Sequence, residues 1–386
     1  MEKQSAVQDL TLHGGPLYSL GCRLGLVRGN TNTFAIGLVL GLALWIVAVV
    51  LAFIEAATAD LFSLASIDAH VRLLLVIPLM FLCESTLDPS IKRFFLTVVR
   101  SGTVPASALP ALESAIAHTR SWKDSWLPES VFLLVSVLLT MASPDQVLFN
   151  AATSADRASA AAEFPLVTSW YWLVCLTVFR FLMLRWLWRL ALWWFLLWHL
   201  WRLPLQLAPT HPDGVGGMGY LEVVHTEFAA LILANSALLC ATFAREVHDG
   251  TMAFESVYPG VALILVGNVV VFVLPLLFLA PRLWTCRERG LRDFSVLAAR
   301  YASQFDSKWL GATPPEEPLL GTADVQSLSD LSTSYRLVRE MRLAPVSLRL
   351  MMTVTAAVLL PALPLLLLKY PLVELAQRFL LALVGL

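Results

Sequence analysis

Between Thr210 and Tyr220 the chain reads Thr-His-Pro-Asp-Gly-Val-Gly-Gly-Met-Gly-Tyr, and the residues best equipped for chemistry gather in or just after this stretch. His211 and Asp213 stand at its start, and Glu222 and His225 follow it. With a helix beginning near Gly219, Glu222 and His225 fall at i and i+3 on one face, the Glu-x-x-His spacing that helical carboxylate metal sites use. With His211 and Asp213 folded back across the turn, the set would offer oxygen and nitrogen ligands, or a general acid and base. A dinuclear centre needs more carboxylates from other helices, so the spacing assigns no metal, and no cofactor is implied.

Gly214, Gly216, Gly217 and Gly219 permit backbone conformations closed to other residues. Their N–H groups at a helix start would suit a phosphate or carboxylate. The spacing matches neither the P-loop nor the dinucleotide fingerprint, and no strand precedes it. The competing reading of the whole stretch is a polar turn facing water.

A second group of residues gains its interest from its surroundings. Glu55, Arg72, Glu84 and Arg180 lie in or at the ends of apolar runs, where charge is costly and often functional. Equal depth pairs Glu84 with Arg180 and Glu55 with Arg72; snorkelling at helix ends is the alternative. Asn235 and Asn268 near run centres read as hydrogen-bonding glue between helices. Gly37 and Gly41 form a small-xxx-small face for close helix packing, within the chain or between copies.

The elements that must position these residues are apolar helices. The chain of 386 residues is 58% hydrophobic and only 14% charged, against roughly 25% charged in soluble domains, and its mean hydropathy is +0.72. Seven apolar runs approach the ~20 residues that cross a bilayer. They lie at about Phe34–Ile54, Leu73–Leu87, Leu127–Ala142, Phe164–Leu184, Phe228–Ala244, Gly260–Ala280 and Leu350–Leu368. The expected fold is therefore all-α, a polytopic transmembrane bundle of about seven spans with a small helical cytoplasmic subdomain.

Lys and Arg crowd alternate connections, ten of them between Arg282 and Arg349. By the positive-inside rule the N-terminus is cytoplasmic, the C-terminus external and the glycine stretch cytoplasmic. Trp186–Leu203 then reads as an interfacial continuation of the fourth span, with its tryptophans and Arg185, Arg189 and Arg202 in the headgroup layer. The five cysteines form no external pair, so structural disulfides are not expected.

This divides the chain into a transmembrane part at 1–281, which includes the glycine loop at 210–219, a cytoplasmic helical hairpin at 282–349, and a last span with an apolar external tail at 350–386. In the hairpin, Phe294, Leu297, Tyr301, Phe305 and Trp309 share one stripe, and Val325, Leu328, Leu331, Tyr335, Val338 and Met341 another. A breaker-rich linker at 311–321 joins the two.

The stretch from Thr210 to Leu221, taken together with Gly321-Thr-Ala-Asp-Val-Gln-Ser-Leu-Ser-Asp-Leu and the last span, resembles a family of uncharacterised bacterial multi-pass membrane proteins. The resemblance covers most of the second half of the chain. It implies a bacterial cytoplasmic membrane location and carries over no catalytic role.

Three functions stay open on the sequence. The first is a channel, transporter or permeation-linked sensor, with a polar path near Glu84, Arg180 and residues 210–227. The second is an inner-leaflet enzyme acting on a lipid-linked or phosphorylated substrate, and the third a scaffold docking a protein partner at 282–349. The lipid bilayer is the partner common to all three, with self-association as a further possibility. A formal net charge of −1 gives no overall basic excess pointing to nucleic acid.

Overall fold

The computed structural model describes residues 33–142, 165–311, 317 and 322–369, and every regular element among them is helical. The connection at 143–163, most of the 311–321 linker and the apolar tail from Pro371 lie outside the described residues. Five helical stretches are long and apolar enough to cross a membrane: Thr33–Ile54, Leu166–Arg202, Tyr220–His248, Phe254–Phe272 and Leu348–Leu368. A sixth arises if Leu109–Lys123 and Trp126–Ala142, bent by 44° at their junction, count as one.

Helix α1 (Thr33–Ile54) buries Thr33, Gly37, Gly41, Leu44, Ala48 and Ala52, a narrow stripe of mostly small residues. A Cβ on Gly37 would stand 2.6 Å from Phe81 Cβ, and one on Gly41 would stand 2.2 Å from the Leu73 carbonyl oxygen. The small-xxx-small face is thus filled from within the chain.

What fills it is a helical run made of α3 (Ile67–Val71), a π-helical turn at Arg72–Val76, and α4 (Ile77–Arg100). The short α2 (Thr58–Leu61) precedes it. This run, where the sequence places the second crossing, is not among the five to six apolar stretches of spanning length. It also continues through Pro89 to Arg100, where the sequence reading has a connecting segment. The reason is the spacing of Ile91, Phe94, Phe95 and Val98 at i, i+3, i+4 and i+7. All four are fully buried, and both phenylalanine rings meet Trp193 edge-on.

Beyond α5 (Leu109–Lys123) and α6 (Trp126–Ala142), the helical run Leu166–Arg202 comprises α7 (Pro165–Trp170), a second π-helical turn at Tyr171–Cys175 and α8 (Leu176–Arg202). Of the side chains that the sequence assigns to the headgroup layer, four turn inward, while Trp194 and Arg202 stay exposed. Trp186, Trp193, Arg185 and Arg189 are buried inside the bundle, because α4 and its neighbours cover that face.

Helices α9 (Tyr220–Glu227) and α10 (Ala229–His248) follow the glycine loop, and α11 (Val257–Phe272) leads through a 3₁₀ segment into α12 (Ala280–Trp309). Helix α13 (Ala323–Arg339) lies against α12, held by Trp309 and Lys308, which both donate to the Asp324 carboxylate. Helix α14 (Leu348–Ala362) then returns along α10.

The distribution of side chains is consistent with a protein surrounded by hydrocarbon. Phe53, Leu263 and Leu127 are 78%, 72% and 71% exposed, while Arg72, Glu84, Asp88 and Arg189 are 2%, 4%, 4% and 6% exposed. In water this arrangement would forfeit the main driving force for folding. In a bilayer it satisfies both the lipid and the charges.

Candidate functional site

The glycine stretch folds as a loop clipped by one carboxylate. Asp213 Oδ1 accepts from the Val215 N–H at 2.9 Å and the Gly217 N–H at 3.2 Å, and Oδ2 accepts from the Gly219 N–H at 2.7 Å. His211 Nδ1 lies 2.8 Å from Asp213 Oδ1. Burial pushes the Asp213 carboxyl up, but the three backbone donors and His211 outweigh it and hold the group below its ordinary range. Gly217 has φ +96°, and a Cβ there would stand 3.1 Å from Thr103 Oγ1, so this turn demands glycine.

Three of the four glycine N–H groups proposed for an external anion therefore already have acceptors. Gly217 and Gly219 donate to Asp213, and Gly214 donates to the His211 carbonyl at 3.0 Å. The loop supplies its own anion.

The four polar candidates separate into two sets. Arg342 joins two of them, Glu222 and Asp213, to the loop backbone: its Nη1 reaches Glu222 Oε2 at 3.1 Å, its Nη2 reaches the Asp213 carbonyl at 3.2 Å, and its backbone N–H donates to the Gly214 carbonyl at 2.8 Å. Ser347 donates to the other Glu222 oxygen while its own Oγ caps α14 by accepting from the Leu350 N–H. His225 faces the core instead. Its Nδ1 sits 2.6 Å from the Phe272 carbonyl, so it carries the proton there, and its Nε2 accepts from Trp193 Nε1 at 3.3 Å. With both ring nitrogens engaged, His225 has none left for a ligand. No group of three or more His, Cys, Asp or Glu suited to a metal occurs among the described residues.

The charged residues of the apolar runs assemble, but with partners other than those expected. Glu84 does not meet Arg180. Its Oε1 lies 2.5 Å from Arg189 and 3.5 Å from Arg185, and Arg185 also lies 3.6 Å from Glu129. Arg180 donates to Thr140 Oγ1 at 2.9 Å. Glu55 does not meet Arg72 either. It caps α7 by accepting from the Leu166 and Val167 N–H groups at 2.7 and 3.0 Å. Arg72 lies 3.6 Å from Asp68, donates to the Tyr171 hydroxyl, and faces the Phe179 ring. Arg245 approaches the same Asp68 oxygen at 3.3 Å.

Sequence reading did not single out Asp68, Arg245 and Arg342, and placed Arg185 and Arg189 in the headgroup layer instead of in an ionic cluster. A signal for some of them exists: Glu84 and Asp88 are four residues apart on one helix, and Arg185 and Arg189 four apart on another. Matched i, i+4 charges of opposite sign on two apolar helices indicate a shared face. Arg72 and Tyr171 each begin one of the two π-helical turns, a local geometry found often at functional sites.

Between α4, α8, α10 and α11 lies a cavity of about 420 Å³ with apolar walls, among which Asn235 and Asn268 are the polar residues. Asn268 donates within its own helix to the Ile264 carbonyl at 2.8 Å, and so does not bridge helices through that bond.

Fold and site together define a class: an all-helical protein with five to six apolar helices of spanning length, consistent with an integral membrane protein. No protein-family model, curated protein or solved structure matches the chain.

Proposed function

We propose that this is an integral membrane protein of the permeation class, a channel, a transporter or a sensor coupled to permeation. It would cross a bacterial cytoplasmic membrane about seven times when the Ile67–Arg100 run and the bent α5–α6 pair are each counted as a crossing. The observation that supports this reading is the pair of buried ionic clusters, Asp68–Arg72–Arg245 with Tyr171 and Glu84–Arg185–Arg189–Glu129.

Charges within a bilayer are expensive, face the bundle interior and mark ion or proton pathways and sensors. Replacing a buried ion pair by apolar residues of similar size is often neutral or stabilising. Stability alone therefore gives little reason to keep these seven charged side chains between apolar helices. The test is flux by the purified full chain in liposomes, across ion gradients, proton gradients and voltage. Flux lost in Glu84→Gln supports the reading; no flux under any of these conditions ends it.

One observation favours a second reading, an enzyme at the membrane face acting on a lipid-linked or phosphorylated substrate. The His211 side chain is 40% exposed while its Nδ1 is held by Asp213, an orientation that leaves Nε2 available as a general base. Turnover of such a substrate that disappears in His211→Ala would favour it over permeation.

A further inference from the structure

A groove of about 640 Å³ opens where two apolar segments end, the Leu166–Arg202 run and the 3₁₀ turn Leu274–Leu279 that feeds α12. Trp201, Leu205, Pro209 and Phe294 make its apolar wall. Arg282 and Arg289 line it from α12, with Thr285 between them. Positions 282, 285 and 289 recur at i, i+3 and i+7, which places them on one face of that helix.

Neither arginine forms an ion pair with a carboxylate among the described residues; Arg282 makes only a long 3.5 Å contact to the Arg202 carbonyl. Asp293 lines the groove one helical turn beyond Arg289, so two arginines and one aspartate leave it one net positive charge. Just outside, Arg202 stacks on Trp198 at 4.7 Å, and Trp198 lies against Trp201 and Phe278. Tryptophan and arginine together at the end of a spanning helix mark the depth of the lipid headgroups.

The geometry points to a phospholipid-headgroup site, with Arg282 and Arg289 taking the phosphate of an anionic phospholipid. Guanidinium groups recognise phosphate oxygens by paired charge-assisted hydrogen bonds, and basic pockets between helices at the bilayer surface are suited to anionic headgroups. Asp293 is placed to accept from a headgroup hydroxyl. A soluble phosphate ester would share the arginine chemistry. The apolar wall and the depth of the groove select the lipid. The inference requires residence in a membrane and is independent of permeation.

The experiment counts lipids retained by the purified full chain in detergent, by native mass spectrometry, with phosphatidylglycerol, phosphatidylcholine or inorganic phosphate added. Phosphatidylglycerol is expected to be retained over phosphatidylcholine. In R282Q/R289Q its affinity should fall about thirtyfold, from the loss of two cations near the surface. R292Q/R300Q makes the same charge change at exposed positions of α12 and should leave the affinity unchanged. Unchanged affinity in R282Q/R289Q overturns the assignment, as does displacement of the lipid by inorganic phosphate. Should the double variant unfold, R289Q alone, at an exposed position, decides the matter by the same readout.

Discussion

Asp213 is the residue on which the glycine loop depends, because one carboxylate accepts three backbone N–H groups whose alternative partners would have to be water. Hydrogen bonds to a charged group contribute more than neutral ones, so Asp213→Asn should cost roughly 2 kcal/mol, read as a lowered unfolding midpoint in detergent. The fold holds this carboxyl below its ordinary range. The stabilisation is therefore complete above the unfolded-state value of about 3.9 and drains away as pH falls through the lower folded-state value. Stability of the native chain should drop over that acid window, with a smaller drop in Asp213→Asn; parallel acid profiles would remove Asp213 as the cause. At Gly217 the left-handed backbone and the nearby Thr103 hydroxyl both oppose a side chain. Gly217→Ala should cost about 1–2 kcal/mol from the backbone alone, whereas Gly267→Ala, at a helical position with open space around it, should not destabilise.

At the scale of elements, the bundle is organised by the Ile67–Arg100 run, which packs against α1 through glycines and against α8 through charge. Removing one partner of a buried ionic cluster leaves the others uncompensated, so Glu84→Gln should destabilise by about 3–5 kcal/mol. Adding Arg189→Met to Glu84→Gln should recover part of that loss, because it removes one of the stranded cations. A double-mutant cycle in mixed micelles measures the coupling, and strictly additive losses would show that the two residues do not depend on each other. Gly41→Ala must displace the Leu73 carbonyl, which is backbone and cannot rotate aside. It should separate α1 from its neighbour and lower stability without changing the oligomeric state seen by light scattering, since that face is already covered within the chain.

For the whole molecule, the glycine loop, the α12–α13 hairpin and the start of α14 are tied into one polar end by Arg342, Glu222 and Ser347. The proposed orientation puts this end in the cytoplasm. Single cysteines introduced at Lys308 and at the exposed Arg292 should then react with a membrane-impermeant maleimide only in inverted vesicles; labelling of both from outside intact cells would reverse the topology.

Composition alone made the apolar helices legible, because a run of some twenty uncharged residues has few stable fates besides a buried or membrane helix. The glycine-rich turn was legible too, since so many glycines beside Asp and Pro rarely continue a helix. Helix continuity was harder to read. Pro89 and the basic residues beyond it resemble a loop, and the buried stripe Ile91, Phe94, Phe95 and Val98, with both rings on Trp193, accompanies the helix to Arg100.

Pairing was legible only as a hint, in the matched i, i+4 charges Glu84/Asp88 and Arg185/Arg189. Glu84 chooses Arg189 over Arg180, and Glu55 an N–H pair over Arg72, because an ion pair depends on the azimuth of two helices about their own axes. A single chain read along its length carries depth, through hydropathy, but not that rotation. The same holds for His211, Asp213, Glu222 and His225: their proximity in sequence was plain, yet the direction of each side chain was set by what packed around it. His225 turned into the core towards Trp193 and Phe272, and Glu222 turned to Arg342, 120 residues further along the chain.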